Sequence, residues 1–119
     1  MNNPQHPYTI LLLMRATPQW LSLSRADRTA FFETAIQPIF SRVASSVRVR
    51  LFDSEYFHGQ VSDFIIVESD NLHQYKLFIE LLRDTKVYSE PYFDIKDIIV
   101  GQENAFQEFD NLIQNTDEY

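Results

Sequence analysis

The sequence predicts an α+β fold of the ferredoxin-like type, in which two helices cover one face of a four-stranded antiparallel sheet. Three observations predict it. Apolar segments follow the order strand, helix, strand, strand, helix, strand, and then a short terminal helix. The first and third strands are apolar on both faces, as expected for the central pair of this topology. No linker or internal repeat divides the 119 residues, so we expect one domain over residues 1–119, with residues 1–7 and 116–119 as loose ends.

The first half of the chain contains a strand, a long helix and a second strand. Tyr8 to Arg15 is aliphatic and bounded by prolines, which is typical of a strand. Arg25 to Ala44 carries apolar residues at a period of 3.6 and predicts a helix. Pro38 lies inside this helix and removes a backbone donor, so we expect a kink near Thr34. Ser46 to Asp53 alternates in polarity and predicts the second strand.

The second half of the chain contains two strands and two helices. We place them at Val61 to Glu68 (strand), Asn71 to Asp84 (helix), Tyr92 to Val100 (strand) and Gln102 to Gln114 (amphipathic helix). Asp70 is expected to cap the helix that begins at Asn71. Gly101 is expected to end the strand that begins at Tyr92. The stretch from Thr17 to Leu23, by contrast, is expected to be an irregular connection.

The open face of the sheet requires a cover, because two helices can cover only one face. The apolar side chains on the other face of the first and third strands would otherwise form an exposed association surface. Packing of two copies through this face removes the problem. The sequence therefore predicts a homodimer of the dimeric α+β barrel type.

Composition and charge exclude several classes of protein. The chain has no cysteine and only two glycines, which excludes disulfides, thiolate metal sites and Gly-rich phosphate loops. The net charge of −7 is divided into +2 over residues 1–59 and −9 over residues 60–119, and this acidic balance argues against nucleic-acid binding. No apolar run is long enough for a signal or a membrane span, so a cytoplasmic protein without a membrane partner is expected.

Basic side chains on the second strand are the first candidate site. Arg48 and Arg50 share one face, Arg15 ends the first strand, and Asp63 or a neighbour is placed to face the arginines across the hairpin. Clustered arginines bind carboxylate or phosphate through paired hydrogen bonds. The alternative is that the second strand is an edge whose arginines are exposed or bridge two subunits.

The loop after the second strand is the other candidate site. Asp53 and Glu55 are placed to orient His58 as a general acid or base. The alternative is a hairpin loop whose aromatic residues close the end of the core. Trp20 is expected either to cover a ligand pocket or to plug the core.

The three histidines do not form a metal-binding set. His6 lies in the N-terminal tail and His73 in the first turn of a helix, so spacing brings no two of them together. We expect no metal and no cofactor, and we keep haem ligation through His58 or His73 as a remote alternative.

The ordered set of segments resembles the darcynin family of small bacterial proteins of undetermined function. The segments that carry the resemblance are Tyr8-Thr9-Ile10, Pro18-Gln19-Trp20-Leu21, Arg50-Leu51-Phe52-Asp53-Ser54-Glu55, Ser62-Asp63, Glu80-Leu81-Leu82-Arg83-Asp84-Thr85, Pro91-Tyr92-Phe93-Asp94-Ile95 and Asp97-Ile98-Ile99-Val100-Gly101-Gln102-Glu103-Asn104. The resemblance covers the chain from about Tyr8 to Phe109. It implies the dimeric α+β barrel fold and no catalytic residues.

Two functions are compatible with these observations. The first is binding or conversion of a small aromatic or anionic molecule in a barrel pocket, with or without enzymatic activity. The second is a non-catalytic interaction or regulatory role through the dimer and its acidic surface. A closed pocket with convergent polar groups favours the first function.

Overall fold

A computed structural model describes residues 6–117 and contains one four-stranded antiparallel sheet. The predicted loose ends fall largely outside these residues. The elements are β1 (Tyr8–Ala16), α1 (Pro18–Leu21), α2 (Arg25–Phe31), a π-helical turn (Phe32–Ile36), α3 (Gln37–Val43), β2 (Arg48–Asp53), β3 (Asp63–Ser69), α4 (Leu72–Arg83), α5 (Lys86–Ser89), β4 (Phe93–Gln102) and α6 (Phe106–Asp117).

The strand order is β2-β3-β1-β4, so β1 and β3 form the central pair. Both strands carry apolar side chains on both faces, and the prediction that they form the central pair is confirmed. Each neighbouring pair is antiparallel, and a bulge interrupts the pairing of β1 with β4 between Leu13 and Met14. The α+β fold of ferredoxin-like type is therefore the fold of this chain.

The core lies between the sheet and the helices on one of its faces. Ile10, Leu12, Val67 and Phe78 are completely buried there. Burial of a side chain of this size contributes about 1.5–3 kcal/mol. The sheet therefore has a closed face, against the helices, and an open face.

Pro38 has the effect expected from its chemistry. It lacks the N–H that would bond to the carbonyl of Thr34, and the helix passes through a π-helical turn at this point. In that turn the N–H of Gln37 donates to the carbonyl of Phe32. The expected irregularity near Thr34 is therefore present as a π-helical turn.

Several predicted boundaries are wrong. β4 continues through Gly101 to Gln102, because Gly101 pairs with Thr9 of β1 and the ladder extends to the end of that strand. Val61 lies outside β3, which begins at Asp63. Thr17 caps the short helix α1 in a stretch predicted to be irregular, and α5 was not predicted at all.

The cap of α4 also differs from the prediction. Its capping residue is Asn71, whose side chain accepts hydrogen bonds from the N–H groups of His73 and Gln74, at 2.9 and 3.3 Å. Asp70 precedes this position by one residue. Asn and Asp are equally good caps, so composition alone did not separate them.

The open face carries half-buried and exposed apolar side chains. Its members are Leu11, Leu13, Phe52, Phe64, Ile66 and Ile99. Phe52 and Phe64 stack with their ring centroids 4.8 Å apart. Within residues 6–117, no helix is long and apolar enough to cross a membrane.

Candidate functional site

An apolar chamber of about 210 Å³ lies between the closed face of the sheet and the helices. Residues of β1, β3, β4, the π-helical turn, α3 and α5 line it, among them Leu12, Met14, Phe32, Ile36, Phe40, Ile65, Val87 and Phe93. Two carboxyl groups, those of Asp53 and Asp63, are its acidic lining residues. The helical layer thus leaves space for an apolar group at one end of the core.

A wider polar cleft of about 750 Å³ adjoins this chamber. The two share the lining residues Trp20, Phe32, Asp53, Asp63 and Phe93. The cleft adds ionisable side chains from β1, α2, the π-helical turn and the loop between β2 and β3, namely Arg15, Arg25, Arg28, Glu33, Glu55 and His58. One ligand could therefore place an apolar body in the chamber and a charged group in the adjoining cleft.

Trp20 forms a wall shared by the chamber and the cleft. Its indole ring packs against Phe31, Tyr92 and Phe93, with centroids 5.0–5.9 Å apart. Thr17 holds this wall in place, because its hydroxyl donates to the carbonyls of Pro91 at 2.7 Å and Tyr92 at 3.0 Å. Trp20 thus lines the pocket and also packs against aromatic residues next to the core, so the two predicted alternatives apply together.

Asp53 and Asp63 form a carboxyl pair across the ends of β2 and β3. Burial raises the pKa of Asp63 above its ordinary value of 3.8, and the hydrogen bond from Ser62 opposes this. The hydrogen bond and charge of Asp53, together with the charge of Glu55, raise the pKa of Asp63 further. Two carboxyl groups in such contact favour a state in which one of them holds a proton.

Ser62 fixes the orientation of this pair. Its hydroxyl donates to Oδ2 of Asp63 at 2.7 Å and accepts from the backbone N–H of Ala16, also at 2.7 Å. The register of β1 against the loop before β3 therefore positions the carboxyl group of Asp63.

The imidazole ring of His58 forms hydrogen bonds within its own loop. Its Nδ1 atom accepts hydrogen bonds from the backbone N–H groups of Gln60 at 3.1 Å and Val61 at 2.9 Å. In this arrangement the proton of the neutral ring lies on Nε2, which therefore presents a hydrogen-bond donor. The neighbouring aromatics Tyr56 and Phe57 are exposed, so the alternative that they close the core is wrong.

Arg15, Arg25 and Arg28 line the cleft, and none of them forms an ion pair with a carboxylate within residues 6–117. The described residues contain one ion pair, between Arg48 and Glu68, which lies outside the cleft. Arg15 donates to the carbonyl of Gly59 and to Oε1 of Gln60, both at 3.3 Å. The Nε atom of Arg28 is buried without a hydrogen-bond partner, and an unpaired buried donor of this kind is costly unless something binds to it.

The structure separates the predicted site residues into two groups. Five of them line the cleft: Arg15, Trp20, Asp53, His58 and Asp63.

Arg48 and Arg50 lie elsewhere, on the open face of the edge strand β2. Arg48 pairs with Glu68 at 3.8 Å, and Arg50 lies 5.6 Å from the ring centroid of Phe52. The prediction that Asp63 or its neighbour faces these arginines is wrong, because the strand register places Asp63 opposite Asp53.

Arg25, Arg28 and Ser62 were not predicted as site residues. A local signal existed for Arg25, which is the first residue of α2, where the helix dipole disfavours positive charge, whereas Arg28 lies in the last turn of α2, where a basic residue is ordinary. Ser62 carried no such signal, because its role depends on a contact with Ala16, 46 residues away.

Comparisons of the sequence identify related proteins. The family model described as "Darcynin, domain of unknown function" matches residues 2–113. A darcynin homologue of Streptomyces avermitilis is 35% identical over 100 residues, covering 84% of this chain and 82% of its own. Darcynin 1 of Acinetobacter baumannii is 32% identical over 91 residues, covering 76% of this chain and all of its own.

Comparisons of the fold find larger proteins. A solved haem-binding protein of Thermus thermophilus matches with a TM-score of 0.75 at 17% identity, over 89% of this chain and 44% of its own. A chlorite dismutase of Candidatus Nitrospira defluvii, solved with imidazole, matches with a TM-score of 0.74 at 18% identity, over 90% and 44%. The present chain thus spans less than half of these structures, and at such identities the likeness shows the fold alone.

Proposed function

We propose that this chain, which belongs to the darcynin family, binds a small organic acid with an apolar body. The observation that carries the proposal is the joining of an apolar chamber to a cleft with three arginines through shared walls. The apolar body occupies the chamber, and the acid group binds the arginines. Sites for small molecules commonly combine an apolar lining with a few polar groups that fix orientation.

The preference for an anion rests on the arginines. The carboxylates of the cleft form no ion pairs with them among the described residues, and the buried Nε–H of Arg28 has no hydrogen-bond partner there. A guanidinium group binds a carboxylate through two parallel hydrogen bonds. Retention of a proton by the Asp53–Asp63 pair would also lower the repulsion between that pair and an anionic ligand.

Tryptophan fluorescence provides a direct test, because Trp20 is the only tryptophan in the chain and lines the site. The probe is 3-phenylpropanoate, and 3-phenylpropanamide serves as a neutral compound of the same shape. We expect the acid to change the emission of Trp20 and to bind more tightly than the amide. Replacement Arg28→Met should weaken the acid about tenfold, as for the loss of one charged hydrogen bond.

Arg42→Met is the matched control, because Arg42 is an exposed arginine outside the cleft. It should leave the binding of 3-phenylpropanoate unchanged. Equal binding of the acid and the amide, or an equal loss in both arginine variants, would contradict the assignment of an anion to the cleft.

We assign proton transfer, if the bound ligand undergoes it, to the Asp53–Asp63 pair rather than to His58. Asp63 is positioned by Ser62 at the boundary of the chamber, whereas Nδ1 of His58 accepts from its own loop. Asp63→Asn should change the pH dependence of 3-phenylpropanoate binding above the ordinary carboxyl pKa of 3.8, once the ionisation of the probe's own carboxyl group has been subtracted. Persistence of that pH dependence in the variant would exclude the pair.

Haem, which the Thermus neighbour is described as binding, does not fit the residues of this site. None of the three histidines lines the apolar chamber, and His58 already uses Nδ1 within its loop. The chamber volume of about 210 Å³ lies below the ~300–1,000 Å³ typical of ligand pockets. The chamber is therefore suited to a group much smaller than a porphyrin.

A second candidate function is association with another copy through the open face. The observation that favours it is the row of incompletely buried apolar side chains on that face, including Leu13, Phe64 and Ile66. The solved neighbours, of which this chain spans 44%, are long enough for two copies of such a fold. Sedimentation should give a mass of about 28 kDa, twice the 14.1 kDa of one chain. A mass of one chain at micromolar concentration would refute it.

A further inference from the structure

The amphipathic helix α6 lacks a substantial packing partner among the described residues. Phe106, Phe109 and Ile113 follow one another at helical spacing, and 58–61% of each is exposed. The radius of gyration is 17.9 Å, whereas a compact chain of this length is expected to have about 13.5 Å. An apolar helical face of this kind is a docking surface that requires an occupant.

The two edges of the sheet carry opposite charges. Exposed Arg48 and Arg50 lie on the open face of the β2 edge, where Arg48 pairs with Glu68 at 3.8 Å and Arg50 forms no ion pair among the described residues. On the β4 edge, Asp97 lies on the same face, and α6 carries Glu108 and Asp110. From residue 101 to the end of the sequence no basic residue occurs. A surface with one basic and one acidic edge is complementary to a second copy of itself.

Symmetry determines which edges meet. When two sheets pack face to face about a two-fold axis parallel to their strands, the β4 edge of one lies over the β2 edge of the other. This rotation does not change position along the strands, so each end of one sheet lies over the same end of the other sheet. Arg48, Glu68, Thr9 and Gly101 occupy one row across the sheet, so the strand end that leads into α6 lies level with Arg48. A two-fold axis perpendicular to the strands would instead bring acidic edge against acidic edge.

We propose that α6 is an arm that packs on a second copy of this chain, beside the β2 edge of that copy, in a dimer whose axis runs parallel to the strands. The inference rests on the dimer proposed above. The apolar side of α6 extends the open face of the partner, and one of the two carboxylates that flank this side, Glu108 and Asp110, lies near the basic edge. Each copy gives an arm and receives one, so the contact closes without leaving an edge for further growth.

Charge reversal and rescue test this arrangement. The dissociation constant of the dimer is measured by sedimentation at low ionic strength, where screening is weak. We expect Arg50→Glu alone, and Glu108→Lys with Asp110→Lys, each to weaken the dimer about tenfold or more. The chain that combines all three changes should recover to within about threefold of the original, because opposite charges again face each other.

Two further variants separate the possible outcomes. Arg42→Glu makes the same charge change on the helical side and should not affect the dimer. Phe109→Ser should weaken the dimer without lowering the thermal midpoint of the dissociated chain, because Phe109 is 60% exposed.

Two results would refute the packing of α6 on the partner while leaving the dimer itself intact. One is a dimer dissociation constant that Phe109→Ser does not change. The other is a combined variant in which the effects of the separate charge reversals add up instead of cancelling. A chain that is monomeric throughout would refute both proposals. Circular dichroism of each variant shows whether the fold is retained.

Discussion

Replacement of Thr17 by valine tests whether the wall of the site is held by a single hydroxyl group. Thr17 is buried, and its hydroxyl donates to the carbonyls of Pro91 and Tyr92 while accepting from the N–H of Trp20 at 3.4 Å. Valine has the same shape but no hydroxyl. The variant therefore removes these hydrogen bonds without creating a cavity.

The expected cost follows from the groups left without partners. The carbonyl of Pro91 loses its bond, at about 1–3 kcal/mol for a poorly solvated group. Loss of the helix cap adds about 0.5–1 kcal/mol, at the lower end because the bond is long. Tyr92 retains a bond from the backbone N–H of Thr17 at 3.0 Å. We therefore expect a total of about 1.5–4 kcal/mol, or a decrease in Tm of roughly 5–20 °C.

Urea unfolding followed by the fluorescence of Trp20 measures this change. Thr17→Ser is the matched control, since it keeps the hydroxyl and loses one methyl group, at about 1 kcal/mol. The valine variant should also bind 3-phenylpropanoate more weakly, because the wall formed by Trp20 loses one of its attachments to the segment before β4, the bond to the carbonyl of Pro91. If Thr17→Val unfolds at the same urea concentration as the original chain, the reasoning about the hydroxyl is refuted.

Two other predictions concern the carboxyl pair and the open face. Because the folded pKa of Asp63 is raised, the folded state loses stability as pH rises from 3.8 through that pKa, whereas below 3.8 the folded and unfolded states both hold the proton. Asp63→Asn should therefore gain stability relative to the original chain over that interval and not below it, which urea titrations at several pH values would measure; a constant difference would contradict the raised pKa. Ile66→Asp places a charge on the open face and should give a monomer by sedimentation with an unchanged circular dichroism spectrum; a dimer that tolerates the aspartate would place the interface elsewhere.

Local chemistry explains which parts of the fold were predictable. Apolar residues on both faces of β1 and β3 identified the central strands, because only a strand covered on both sides needs them. Pro38 identified an irregular helix, because its missing N–H cannot be supplied by any tertiary contact. Gly101 was misinterpreted, since the pairing of β4 with the whole of β1 outweighs the weak strand propensity of one glycine.

The candidate site was less predictable because it depends on register and on distant contacts. Asp53 and Asp63 were each singled out, but their pairing follows from the alignment of β2 with β3, which pattern alone did not establish. Arg28 reaches the cleft from a helix that precedes both of those strands in the sequence. Side chains brought together from such separate elements leave no common motif.

The two proposed functions occupy opposite faces and ends of one sheet, and this makes them separable. The cleft lies where β2 ends and β3 begins, at Asp53 and Asp63, and its chamber is on the closed face. The arm α6 leaves from the other end, level with Arg48, and its proposed partner surface is the open face. Variants of Arg28 should therefore change ligand binding without changing the dimer, and variants of Arg50 should do the reverse. Coupling between them would require transmission through β1 and β3, because these two strands carry side chains of both the closed and the open face.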